Sequence, residues 1–163
     1  AYCVEHNKAM VIGTTGFTDE QLATIEVAAQ SIPIVKAANM SIGVNICMKL
    51  WGEAAKLLGK DWEMGIIDLH HQHKKDSPSG TAKQISKVLS ENSRKNPDEI
   101  EMLSDRRGEI VGTHIVTFKS PYEFITIGHE AQDRGIFAHG AVTAAKWVYK
   151  RDPGLYSMLD VIS

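Results

Sequence analysis

The 163 residues carry 43% hydrophobic side chains and balance 18 basic against 20 acidic groups, for a net charge of −2. That composition describes a globular chain long enough for one ordinary core or two small ones. It leaves no global positive field to hold nucleic acid or an anionic membrane, so any anion must be bound locally. No apolar run approaches the roughly 20 residues of a membrane span, and the N-terminus lacks the charged-then-apolar plan of a signal peptide. Cys3 and Cys47 lie in apolar surroundings without a CxxC pair, which reads as buried thiols of a reducing, cytoplasmic compartment.

Ala9 to Ile12 is a short apolar run closed by Gly13-Thr14-Thr15-Gly16. Thr18 and Gln21 then form a capping box for a helix to about Gln30. Ile32 to Val35 reads as a second strand, with Pro33 near its start where a missing donor is tolerated. Strand, helix and strand joined this tightly are the repeat of a parallel doubly wound sheet, whose ligands sit at the carboxyl ends of the strands. Gly13 to Gly16 and Ala37-Ala38-Asn39 occupy those ends. Ser41 is the expected N-cap of an amphipathic helix from Ile42 to Leu58, stopped by Gly59.

Beyond it, Trp62 to Leu69 resembles a strand, Ser79 to about Glu91 a helix, and Glu99 to Leu103 another strand. Ile110 to Phe118 and Glu123 to His129 are β-rich runs joined by a hairpin signal at Lys119-Ser120-Pro121-Tyr122. Gly135 to Tyr149 has small and apolar residues at helical spacing until Asp152-Pro153-Gly154 breaks it. The expected fold is α/β: residues 1–39 and 134–163 as the remainder of a Rossmann-type doubly wound domain, and 40–133 as an α+β domain with a mixed sheet.

The informative stretch is His70-His71-Gln72-His73-Lys74-Lys75-Asp76-Ser77-Pro78-Ser79-Gly80-Thr81-Ala82. It sets imidazoles and ammonium groups between a strand and a helix. Pro78 keeps Ser77 out of helical geometry, so the helix begins no earlier than about Ser79. The first-turn amides of Gly80 and Thr81, the hydroxyls of Ser79 and Thr81, and the helix dipole make a small anion site. With Lys74 and the histidines opposite, the loop can hold a compact dianion and give it a proton. Two other readings stay open on the residues alone. The histidines could ligate zinc, although the neighbouring lysines oppose a dication and no Cys or Glu is suitably near; or the stretch is a solvated turn.

HHxHK followed by D-x-PSGTA resembles the signature of dihydrodipicolinate reductases. Further family blocks follow the same order in Met10 to Phe17, Ala37 to Asn45, and Arg134 through Phe137 to Ala141. The resemblance implies NADH- or NADPH-dependent reduction of a cyclic unsaturated imine dicarboxylate in lysine and diaminopimelate biosynthesis, by a homotetramer. It implies His70 and Lys74 as catalytic residues and His71, Gly80 and Thr81 as substrate-binding residues. It further implies Gly13, Thr14, Thr15, Ala37, Ala38, Asn39, Met40, Arg134 and Phe137 as cofactor-binding residues, with no metal. The family's opening GxxGxMG turn is not found among the glycines here. The chain therefore reads as the C-terminal portion of such a reductase, with impaired catalysis expected; a remnant acting only in folding or oligomerisation is the alternative.

Overall fold

The computed structural model describes residues 1–163 as two compact units, one formed by Ala1–Asn45 with Gly135–Ser163 and the other by Ile46–Arg134. The element order is α1 (Tyr2–Glu5), β1 (Met10–Ile12), α2 (Asp19–Ala29), β2 (Pro33–Lys36), α3 (Ile42–Leu58), β3 (Glu63–His70), α4 (Gly80–Ser93), β4 (Ile100–Arg106), β5 (Gly112–Lys119), β6 (Phe124–Ala131), α5 (Gly135–Val148), β7 (Gly154–Tyr156) and α6 (Met158–Ile162). A 3-10 turn at Pro97–Glu99 precedes β4.

In the first unit, β1, β2 and β7 form a parallel sheet in that order, with β2 central. Alternation along β2 sends Ile34 to one face, with Ile12, Ala29 and Ile32, and Val35 to the other, with Met40, Ala144, Val148, Met158 and Val161. Helices thus cover both faces, as a parallel sheet requires. α2 starts where the sequence places it: Gln21 N donates to Thr18 Oγ1 at 3.3 Å and Thr18 N to Gln21 Oε1 at 3.0 Å. α5 approaches the chain after β2 so closely that a Cβ on Gly140 would overlap the Met40 carbonyl. The strand β7 has only three residues and no alternation to betray it, so the sequence shows it merely as a break after α5.

In the second unit the sheet order is β4-β3-β5-β6, with β3 parallel to β4 and the other pairs antiparallel. The register puts Met64, Ile66, Asp68 and His70 on one face with Ile100, His114, Val116 and Phe118. That face is buried. The indole of Trp51, on α3, donates to the Ile127 carbonyl at 3.0 Å and lies within the core. The opposite face stays open, with Leu103 61% and Phe124 60% exposed.

Some boundaries differ from expectation. β3 runs one residue further, so His70 ends a strand instead of opening a loop; pairing to Arg106 of β4 keeps it in the sheet. β4 likewise reaches Arg106, beyond the expected Leu103. Cys3 and Cys47 are both free and only partly buried, not core thiols.

The close approach of α5 gives a test of packing. Gly140→Ala should lower the unfolding free energy by about 1–3 kcal/mol through overpacking against backbone that cannot rotate away. Ala138→Ser, at an exposed position of the same helix, should leave it unchanged in the same chemical denaturation experiment.

Candidate functional site

The second unit concentrates its buried polarity at one end of the sheet. Asp68, two residues before His70 on β3, shares the His70 face and is 0% exposed. Its Oδ2 accepts from the Ser79 amide at 3.0 Å, the Ser104 hydroxyl at 3.2 Å and Arg106 Nη2 at 3.0 Å. Its Oδ1 lies 3.1 Å from His70 Nδ1 and 3.3 Å from His114 Nε2. These last approaches are charge–dipole contacts and not aligned hydrogen bonds, since Oδ1 and His70 Nδ1 both lack a hydrogen-bond partner. One carboxylate therefore ties β3, β4, β5 and the start of α4 together.

The loop between His70 and Ser79 is held by the same groups. Arg107 N donates to the His70 carbonyl at 2.9 Å and Gln72 N to the Gly108 carbonyl at 3.1 Å. Arg106 Nη2 donates to the Asp76 carbonyl at 2.7 Å. The Ser77–Pro78 peptide is cis. Ser79 then caps α4, its hydroxyl accepting from Ala82 N at 3.0 Å and approaching His114 Nε2 at 3.3 Å. Gly80 and Thr81 follow as the first-turn residues, whose amides no carbonyl of the same helix can accept. Lys74 Nζ sits 2.7 Å from Asp76 Oδ1. At Gly112 a Cβ would stand 3.1 Å from His70 Nε2, so the glycine makes room for that ring.

Burial pushes the Asp68 carboxyl up, yet the hydrogen bonds from Ser79 and Arg106 outweigh it and hold its pKa at about 2. Burial pushes His70 down against the pull of Asp68, and pushes His114 down to about 4. At neutral pH the cluster is a carboxylate–guanidinium pair with two neutral imidazoles.

Sequence reasoning missed Asp68, Ser104, Arg106, Gly112 and His114, which belong to no contiguous motif. The available signal was polarity at strand positions facing the core, in Gly65-Ile66-Ile67-Asp68-Leu69-His70 and Gly112-Thr113-His114-Ile115-Val116. The histidine run itself does not converge. His71 and His73 are 6.2 Å apart between ring centroids, and His73 is solvated beside Glu109. The group that does converge is Asp68, His70 and His114, with one ligand atom from each lying within 4.8 Å of the others. Arg106 on the same carboxylate opposes a further cation there.

The nucleotide-type loops lie in the first unit. Gly13, Thr14 and Thr15 follow β1 and are exposed; Ala37, Ala38 and Asn39 follow β2, with Ala37 N donating to the Ile12 carbonyl at 3.1 Å. Gly13 faces the buried Met40 side chain at 3.4 Å from its ideal Cβ, and Gly16 has φ +83°. Phe137 begins the α5 segment that Gly140 seats against Met40, and is 38% exposed. Arg134, exposed, belongs to the second unit as its last residue before α5. Gly13 to Thr15 and Ala37 to Asn39 thus form loops at the carboxyl ends of the neighbouring parallel strands β1 and β2, a fit for a nucleotide.

The family described as dihydrodipicolinate reductase, C-terminus, matches residues 43–162, and dihydrodipicolinate reductase, N-terminus, matches residues 1–40. A 4-hydroxy-tetrahydrodipicolinate reductase of Syntrophotalea carbinolica is 45% identical over 98% of this chain and 66% of its own length. That of Pelagibacter ubique is 42% identical over 96% and 67%. A dipicolinate-bound dihydrodipicolinate reductase from Paenisporosarcina sp. TG-14 superposes with a TM-score of 0.84 at 27% identity, over 99% of this chain and 67% of that one. The chain thus spans about 66% of the length of the first of these relatives.

The buried cluster predicts acid sensitivity of the second unit. His114 is depressed from 6.5 to about 4, so the folded form binds fewer protons than the unfolded one and loses stability as pH falls through that window. Asp68, depressed from 3.8 to about 2, adds a further loss below about pH 4. Urea denaturation at pH 7, 5.5 and 4 should show a falling midpoint, and His114→Gln should flatten the decline between pH 6.5 and 4.

Proposed function

The chain belongs to the dihydrodipicolinate reductase family, and on that premise we propose that it carries the substrate site for reducing 4-hydroxy-tetrahydrodipicolinate to tetrahydrodipicolinate in lysine and diaminopimelate biosynthesis. The observation that carries this reading is the placement of Lys74 in a pinned loop that runs into the Ser79-capped first turn of α4. A dicarboxylate ring can set one carboxylate on the Gly80 and Thr81 amides and the positive end of the helix, and meet Lys74 from the loop. Dipicolinate, bound to the Paenisporosarcina relative, has this chemistry.

A nicotinamide, NADH or NADPH, supplies the hydride when bound. Gly13, Thr14, Thr15, Ala37, Ala38, Asn39, Met40, Arg134 and Phe137 are the residues proposed to hold it. Lys74 supplies the proton that quenches the electron density left on the ring by hydride addition. His70 is the weaker acid candidate, because burial keeps its imidazole neutral near pH 7. It is assigned instead to orient the ring beside Lys74, and His71, partly exposed at the head of the loop, to contact a substrate carboxylate. The open sheet face with Leu103 and Phe124 is proposed to pack against other copies in a cytoplasmic homotetramer. Titration of the chain with NADH and with NADPH tests the proposed cofactor loops: saturable binding of one of them is expected, and binding of neither would contradict the assignment.

Kinetics of a reductase carrying this substrate domain test the assignment. Lys74→Ala should cut turnover by roughly 10² to 10⁴, the usual scale for loss of a positioned acid. Thr81→Val should mainly raise KM, because it removes a contact made alike in ground and transition states. His71→Ala should follow Thr81→Val, and His70→Ala should be a milder version of Lys74→Ala. Near wild-type turnover in Lys74→Ala would transfer the proton donor's role elsewhere.

A further inference from the structure

Lys74 and the first turn of α4 are the two groups assigned above to a ligand dianion, and both face a carboxylate that the chain itself supplies. Asp76 Oδ1 lies 2.7 Å from Lys74 Nζ, with the side chains 53% and 24% exposed. The Lys74 hydrogen bond holds the Asp76 carboxyl below its ordinary value, and the Gly80 amide adds to that effect. Resting on the dicarboxylate reading, we propose that the Asp76 carboxylate is an internal stand-in for a ligand carboxylate, occupying Lys74 in the ligand-free site and giving way when a dicarboxylate binds.

The anchoring of Asp76 suits that exchange. Arg106 Nη2 grips its backbone carbonyl at 2.7 Å, and Arg106 is in turn fixed by the buried Asp68. The main chain is therefore pinned while the side chain, more than half exposed, can swing off Lys74 by rotation about its own bonds. A stabilising role is a poor explanation for the pair, because exposed ion pairs contribute little to folding. A carboxylate at this position keeps Lys74 directed toward the helix turn and keeps monovalent anions off it. It also subtracts from dianion affinity, since it must be displaced and then remains a like charge nearby.

Calorimetric titration of this chain with dipicolinate, at low and at high salt, tests the idea in the wild type, Asp76→Asn, Lys74→Met and the double variant. Asp76→Asn should bind about 3- to 30-fold more tightly at low salt, with the gain shrinking as ionic strength screens the charge. In the Lys74→Met background the gain should be smaller, because there is no ammonium left to contest. Glu91→Gln, the same charge change near the far end of α4, should leave affinity within about twofold. Unchanged or weaker binding by Asp76→Asn, with wild-type binding intact, overturns the stand-in alone. Absence of dipicolinate binding in the wild type overturns the dicarboxylate reading and the stand-in with it.

Discussion

A charged carboxylate without solvent contact has to be answered by donors, and Asp68 is answered by groups from four directions. Ser79 comes from the start of α4, Ser104 and Arg106 from β4, and the rings of His70 and His114 from β3 and β5. Removing one partner of such a buried pair typically costs about 3–5 kcal/mol, because the other charge is left behind. The penalty works as a constraint on shape. The loop from His71 to Pro78 can connect β3 to α4 only along a path that leaves the Ser79 amide on Asp68 and the Asp76 carbonyl on Arg106.

That constraint decides what the loop presents. Asp68 and Arg106 neutralise one another and the buried imidazoles are held neutral, so the cluster itself offers little net charge to a ligand. The cationic group near the loop is Lys74, paired with Asp76, and it is joined by the N-terminal end of α4. Separation of a neutral, rigid support from a small set of exposed cationic and amide groups favours a compact dianion over a metal ion. It also divides labour between the buried residues that shape the loop and the exposed groups that the loop presents.

Much of this was legible in the sequence, for local reasons. The capping box at Thr18 and Gln21, the N-cap at Ser41 and the hairpin around Ser120 follow from short-range hydrogen bonding, and each forms as the residues dictate. The HHxHK and PSGTA blocks led to the right family because they sit in one run. What was not legible depends on pairing across the sheet. Arg106 is 38 residues from Asp68, and only the parallel register of β3 with β4 makes them neighbours. His114 reaches Asp68 through the antiparallel register of β3 with β5. β7, at three residues, is too short to show a periodicity. The polarity of His70 suggests the head of a loop and hides its paired, inward strand position.

The central claim is that the pinned loop and the first turn of α4 form one dicarboxylate site in the second unit. Titration of isotope-labelled protein with dipicolinate, followed through backbone amide resonances, tests it residue by residue. The account predicts saturable shifts concentrated at Gly80, Thr81 and the segment from His71 to Asp76. Shifts centred on other residues, with Gly80 and Thr81 unmoved at saturation, would contradict it.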